Sequence, residues 1–183
     1  ELAMDLFNTN LLSVVAFWPL LGMIILLFIN KEKTTVIKWW ANFVGFSGFF
    51  LSLPIWFRFD FENADKMQFE VNIPWIQSLG ANFHVGIDGI SLLLVLLTTL
   101  ITPLCVLASW RYITKRVKEF MICLLVMEAA MVGVFCALDF VLFFVFWETV
   151  LVPMYFIIAI WGGPNRVYAA IKFMIYTLIG SVL

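Results

Sequence analysis

Apolar runs of about 20 residues recur along this 183-residue chain, separated mostly by short charged links, and few folds accommodate such a pattern. A helix needs ~20 residues to cross the hydrocarbon of a bilayer. Amides there find no water, so each crossing segment must close its own hydrogen bonds. A transmembrane β-barrel would show ~10-residue segments of alternating polarity instead. A soluble domain would be about half apolar, whereas 64% of these residues are hydrophobic and 13% charged. The expected class is therefore all-α, a polytopic transmembrane helix bundle forming one domain over 1–183 and embedded in a lipid bilayer.

Six helices are expected, at 11–29, 36–57, 90–110, 117–138, 139–161 and 167–183, the last an incomplete span. The first run is preceded by Glu1 and Asp5 rather than by basic residues, which argues against a secretory leader. Trp39, Trp40 and Trp56 sit near the ends of the second run, where indole rings favour the headgroup level. Pro54 is expected to end that helix. Between 58 and 87, Phe69, Val71 and Ile73 alternate with Gln68, Glu70 and Asn72, and Phe83, Val85 and Ile87 alternate again. Period two implies a small β-hairpin outside the membrane, with an extended loop as the alternative. Asp88 precedes the third run as a helix cap.

Charge distribution gives direction. Lys31, Lys33, Lys38, Arg111, Lys115, Arg116, Lys118 and Arg166 fall on one side of the expected bundle, and Arg58 and Lys66 on the other. The positive-inside rule puts the first group in the cytoplasm or its equivalent, with the amino terminus and the hairpin outside. No basic stripe fits nucleic acid. Cys105, Cys123 and Cys136 lie within apolar runs without a CxxC pair, and His84 is the sole histidine, so no metal site is expected. His84 reads as a solvated or interfacial residue.

Against this apolar background two carboxyls stand out, Glu128 near the middle of the fourth run and Glu148 near the middle of the fifth. A charged, unpaired carboxylate at such depth costs about 2.5–3.5 kcal/mol by insertion scales. Each must therefore hold a proton or have a partner. Glu148 shares a helix face with Leu151, Val152 and Tyr155, and Pro153 frees a backbone carbonyl one turn away where water could lodge. Ala129 and Gly133 form a small-residue ridge beside Glu128, fit for close approach of another helix. Glu128 is open to a second reading as a structural, hydrogen-bonded acid. Lys172, on a stripe with Tyr168 and Tyr176, is either a relay or a side chain snorkelling to the interface.

The stretch FWETVLVPMYFIIAIWGGPNRVYAAIKFMIYTLIGS, with HVGIDGISL and LLVMEAAMVGVFCALD before it, resembles the antiporter-like membrane subunits of respiratory NADH:quinone oxidoreductase, complex I, in the branch called subunit M in bacteria. The resemblance covers 83–183 and implies a larger subunit of about 14 helices, of which this chain is an amino-terminal part, with 117–183 opening the first of two inverted-repeat half-channels. It implies that Glu148 is the proton-transfer acid, paired in that family with a lysine on the seventh helix, and that Glu128 is a secondary acid. Lys172 matches the helix 6 lysine of YAAIKF. It further implies no cofactor in this chain, since FMN, iron–sulfur clusters and quinone belong to other subunits. Protons and water, and the other membrane subunits of complex I, are the implied partners. The location would be the bacterial inner membrane, or alternatively the mitochondrial inner membrane. A multisubunit cation/proton antiporter or a membrane-bound hydrogenase is the first competing reading. The second is a structural membrane scaffold with no transport role.

Overall fold

The computed structural model describes residues 2–76 and 80–183, with side chains described from residue 10 onward in the first helix. Among these residues six α-helices follow in order: α1 (Leu2–Phe28), α2 (Thr34–Arg58), α3 (Gly89–Ser109), α4 (Val117–Cys136), α5 (Phe140–Trp161) and α6 (Arg166–Val182). A two-stranded antiparallel hairpin, β1 (Gln68–Ile76) and β2 (Ala81–Ile87), lies between α2 and α3. Five helices, α1 to α5, are long and apolar enough to cross a membrane. The chain is an integral membrane protein with the expected all-α bundle and the hairpin.

Helix ends depart from the expected ones where the apolar run and the helical backbone are not coextensive. α1 begins at Leu2, well before the run at 11; Leu2, Ala3, Met4 and Leu6 are good helix formers that extend the backbone beyond the part suited to hydrocarbon. The side chains of Glu1 and Asp5, used to judge that flank, lie outside the described ones. Pro54 does not end α2. The helix carries it inside and continues to Arg58, as bundle helices in membranes can. Asp139 proves to be the cap of α5 and not its first residue.

α4 is the hub, packing against α1, α2, α3 and α5. Its small face makes this possible, because Phe146 of α5 lies where any side chain on Gly133 would project. Two apolar clusters hold the bundle. One, near the hairpin, joins Leu12 and Val15 of α1 to Val85, Val95, Val132 and Leu142; the other, near the basic links, joins Leu26, Ile37, Val106, Met121 and Leu125. At the basic end lysines close exposed helix termini. Lys118 Nζ donates to the carbonyls of Leu27 and Ile29 at 2.8 Å each, and Lys38 Nζ to that of Trp110 at 2.6 Å. These are orphan carbonyls that a membrane-facing helix end must otherwise leave to water.

At the opposite end the hairpin is stitched to the α4–α5 junction. Leu138 N–H donates to the His84 carbonyl at 2.9 Å, and Asn82 N–H to Asp139 Oδ2 at 3.1 Å. Asp139 also caps α5 by accepting from Val141 and Leu142, and the Asn82 amide foremost holds its carboxyl below the usual aspartate range. His84 is not merely solvated: its Nε2 lies 3.2 Å from Glu70 Oε2 across the hairpin. A bulge at Phe69, with φ of 55°, turns that ring onto the apolar cluster below.

Asp88 caps α3 as expected, its Oδ1 accepting from Ser91 N at 2.7 Å and Ile90 N at 3.1 Å. The Ser91 amide is the main cause of a carboxyl held below its ordinary value. Such a cap stabilises above the ordinary aspartate range and is lost as pH falls through the lowered value. Asp88→Ala is expected to cost about 1 kcal/mol, with Asp88→Asn retaining most of it. Thermal denaturation of the detergent-solubilised protein checks both, and the gap between wild type and Asp88→Ala should close on acidification.

Candidate functional site

The polar residues buried in the bundle are few. Among the described residues they are Asn42 and Ser52 of α2, Thr98, Thr99 and Thr102 of α3, and Glu128 of α4. Glu128 falls between the two apolar clusters, since Leu125 belongs to one and Val132 to the other. Each α3 hydroxyl satisfies itself along its own helix: Thr98 Oγ1 donates to the Leu94 carbonyl at 2.7 Å and Thr102 Oγ1 to the Thr98 carbonyl at 3.1 Å. Ser52 and Thr99 meet hydroxyl to hydroxyl at 3.1 Å, linking α2 to α3.

Glu128 has no such local solution. It is 1% exposed, and neither of its carboxyl oxygens has a hydrogen-bond partner among the described residues. Its Oε1 faces Gly48 of α2, where an added Cβ would come within 3.6 Å. The nearby indole of Trp18 is spent on Ser47 Oγ at 2.9 Å. The reading of Glu128 as a structural acid with hydrogen-bond partners thus finds none in the described residues.

Glu148 is placed differently. It lies half-buried on α5 and is in hydrogen-bond contact with Ser181 Oγ of α6 at 2.6 Å, a hydroxyl that also lies 3.0 Å from the Leu178 carbonyl of its own helix. Pro153 is buried within α5, and the helix continues past it. Thr149 turns its hydroxyl back to the Val145 carbonyl at 2.7 Å. Tyr155 makes an edge contact with Phe156 at 5.5 Å between ring centres. Lys172 is exposed and sits with Nζ 5.7 Å over the Tyr168 ring, and Tyr176, 82% exposed, lines the same outer groove of α6. The structure therefore joins Glu148 to Ser181, a residue sequence reasoning passed over. The α3 hydroxyls beside Glu128 were passed over as well.

Two family models divide the chain between them. That for NADH-ubiquinone oxidoreductase chain 4, amino terminus, matches residues 14–134, and that for the NADH:quinone oxidoreductase/Mrp antiporter transmembrane region matches 137–183. The chain belongs to the NADH-ubiquinone oxidoreductase chain 4 family. Among relatives in this family, NADH-quinone oxidoreductase subunit M of Rhodobacter capsulatus is 44% identical over 178 residues, covering 95% of this chain and 34% of that protein. The corresponding subunit M of Rickettsia typhi is 41% identical, covering 94% of this chain and 36% of its own. The chain thus spans about a third of the length of these relatives. A chain of respiratory complex I from Thermus thermophilus with bound NADH shares the fold, with a TM-score of 0.77 at 23% identity over 93% of this chain and 33% of that one. Glu128 falls within the chain 4 match, and Glu148, Lys172 and Ser181 within the antiporter-type match.

Because Phe146 occupies the space at Gly133, Gly133→Leu is expected to push α5 from α4, with overpacking costing about 1–3 kcal/mol or more. The amount of subunit retained in membranes and its melting temperature should both fall. Gly133→Ala should show a smaller loss of the same kind.

Proposed function

We propose that this chain is part of a proton-translocating, non-redox subunit in the membrane arm of NADH:quinone oxidoreductase, and that Glu148 is its proton-transfer acid. The observation that carries this reading is a carboxyl near the middle of α5, inside the segment matched by the antiporter-type model, held by a single hydroxyl from the neighbouring helix. A hydroxyl is a neutral donor that can accompany either protonation state. A cation brought beside a buried carboxyl favours its ionised form, and withdrawal of that cation favours the protonated one. A subunit that moves a cation toward and away from Glu148 would turn a conformational or electrostatic pulse, supplied by quinone reduction elsewhere, into proton uptake and release.

In this reading Glu128 is a secondary acid, Lys172 is a relay reachable from the outer face of α6, and Pro153, Tyr155 and Tyr176 support the path. The segment from 117 onward opens the first half-channel of a longer subunit, consistent with relatives about three times the length of this chain. Flavin, iron–sulfur clusters and quinone are assigned to other subunits. The basic links would face the bacterial cytoplasm, or the matrix in a mitochondrial setting. An antiporter outside complex I is the second reading, favoured by the shared description of the model over 137–183. The chain 4 match over 14–134 favours complex I.

Glu148→Gln removes the transferable proton and keeps the shape. Proton pumping by the assembled complex in sealed vesicles, measured beside NADH:quinone electron transfer, is expected to fall by at least tenfold per electron. Full pumping with normal electron transfer would overturn the assignment, and so would full pumping in Glu148→Ala.

A further inference from the structure

Three helices meet at the Glu128 carboxyl. Gly48 of α2 has no side chain, and the position a Cβ would take there is bordered by Glu128 Oε1 of α4 at 3.6 Å and by Trp18 Cδ1 of α1 at 3.3 Å. Cδ1 is the ring atom bonded to Nε1, so the indole N–H starts one bond from the gap that the carboxyl faces. Glu128 is 1% exposed and its two oxygens have no hydrogen-bond partner among the described residues. A donor thus stands across a glycine from an acid that lacks one.

The acceptors that now hold this N–H do not depend on it. Trp18 Nε1 donates to Ser47 Oγ at 2.9 Å and lies 3.3 Å from the Val44 carbonyl. Ser47 Oγ gives its own hydrogen to that same carbonyl at 2.9 Å. If the indole leaves, Ser47 keeps its hydrogen placed and the Val44 carbonyl stays bonded. The indole N–H is itself a donor only, costly to bury without an acceptor, so it leaves Ser47 when a better oxygen is at hand. An ionised carboxyl is such an oxygen, since hydrogen bonds to a charged acceptor are roughly twice as strong as neutral ones.

We propose that Trp18 is a conditional donor to Glu128. Its N–H rests on Ser47 while the carboxyl is protonated and turns across Gly48 to the carboxylate when the proton leaves. Trp18 is then a positioning residue for Glu128, and Gly48 is the opening through which the two meet. Among the described residues no buried side chain of α1, α2, α3 or α5 is charged, so no buried cation on those helices competes with the indole. Lys38 and Lys118 are bonded to carbonyls at the basic end, and Glu148 of α5 is turned to Ser181. The inference rests on the reading of Glu128 as an acid that ionises and is independent of Glu148.

The test compares the assembled complex at acid and alkaline pH by two spectroscopies. Infrared difference spectra report the carboxyl C=O band of Glu128, identified by its loss in Glu128→Gln. Ultraviolet resonance Raman difference spectra report the strength of the indole N–H bond of Trp18, identified by loss of the signal in Trp18→Phe. In wild type both signals are expected, and the indole signal should also vanish in Glu128→Gln. Gly48→Ala, which puts a methyl group in the gap, should keep the carboxyl signal and lose the indole one. A carboxyl signal accompanied by no indole change, or by one that survives Glu128→Gln, would overturn the proposal while leaving Glu128 an acid. Absence of any Glu128 carboxyl signal would overturn both. Should Trp18→Phe not assemble, Glu128→Gln and Gly48→Ala decide by the same criteria. Neither readout is pumping, so the outcome does not hang on that of Glu148→Gln.

Discussion

Hydrocarbon offers a polar group nothing to bond, and this one constraint orders the whole molecule. Backbone amides answer it locally by winding into helices. Threonine and serine answer it the same way, turning their hydroxyls to a carbonyl three or four residues back, as Thr98, Thr102, Thr149, Ser52 and Ser109 all do. A carboxyl on a helix has no such local remedy, because it has no hydrogen to give when ionised and the helix has no spare amide to offer. Glu128 and Glu148 are thus the two places in the bundle where the solution must come from another element or from a small occupant.

The architecture supplies those other elements through α4 and the hairpin. Gly133 brings α5 close enough to α4 that Phe146 seats against backbone, and this contact fixes the helix that carries Glu148. From outside, the hairpin fastens the same helix at its first turn, through Asn82 and Asp139. At the far end Trp161 Nε1 donates to the Lys115 carbonyl at 2.8 Å, tying the last turn of α5 to the basic link before α4. α5 is therefore held at both ends and along one side, while its remaining surface is open: only 17% of its membrane-crossing window is buried, against 56% for α4.

Much of this was legible because it depends on local chemistry. The apolar runs, the hairpin between α2 and α3, the cap at Asp88 and the small face at Gly133 follow from neighbouring residues, and the structure has each of them, although Ile73 is exposed and β1 bulges between Gln68 and Val71. What sequence could not show depends on residues far apart. Ser181 meets Glu148 across 33 positions, and Ser52 meets Thr99 across 47. Nothing in their immediate surroundings singles out these hydroxyls from others in the same runs. The relative burial of the two acids was likewise hidden: each falls near the middle of its apolar run, yet within the described residues Glu128 is enclosed and Glu148 half-buried. Pro54 misled because proline ends helices in water, where no neighbouring helix stands ready to take up the freed carbonyl.

The central claim is that Glu148 gains and loses a proton as the complex turns over, and infrared difference spectroscopy sees that event without relying on transport. Spectra of the assembled complex before and after reduction by NADH should contain a carboxyl C=O band that is absent from Glu148→Gln and shifted when Ser181→Ala removes the hydroxyl bonded to it. Superimposable carboxyl regions in wild type and Glu148→Gln would contradict the account.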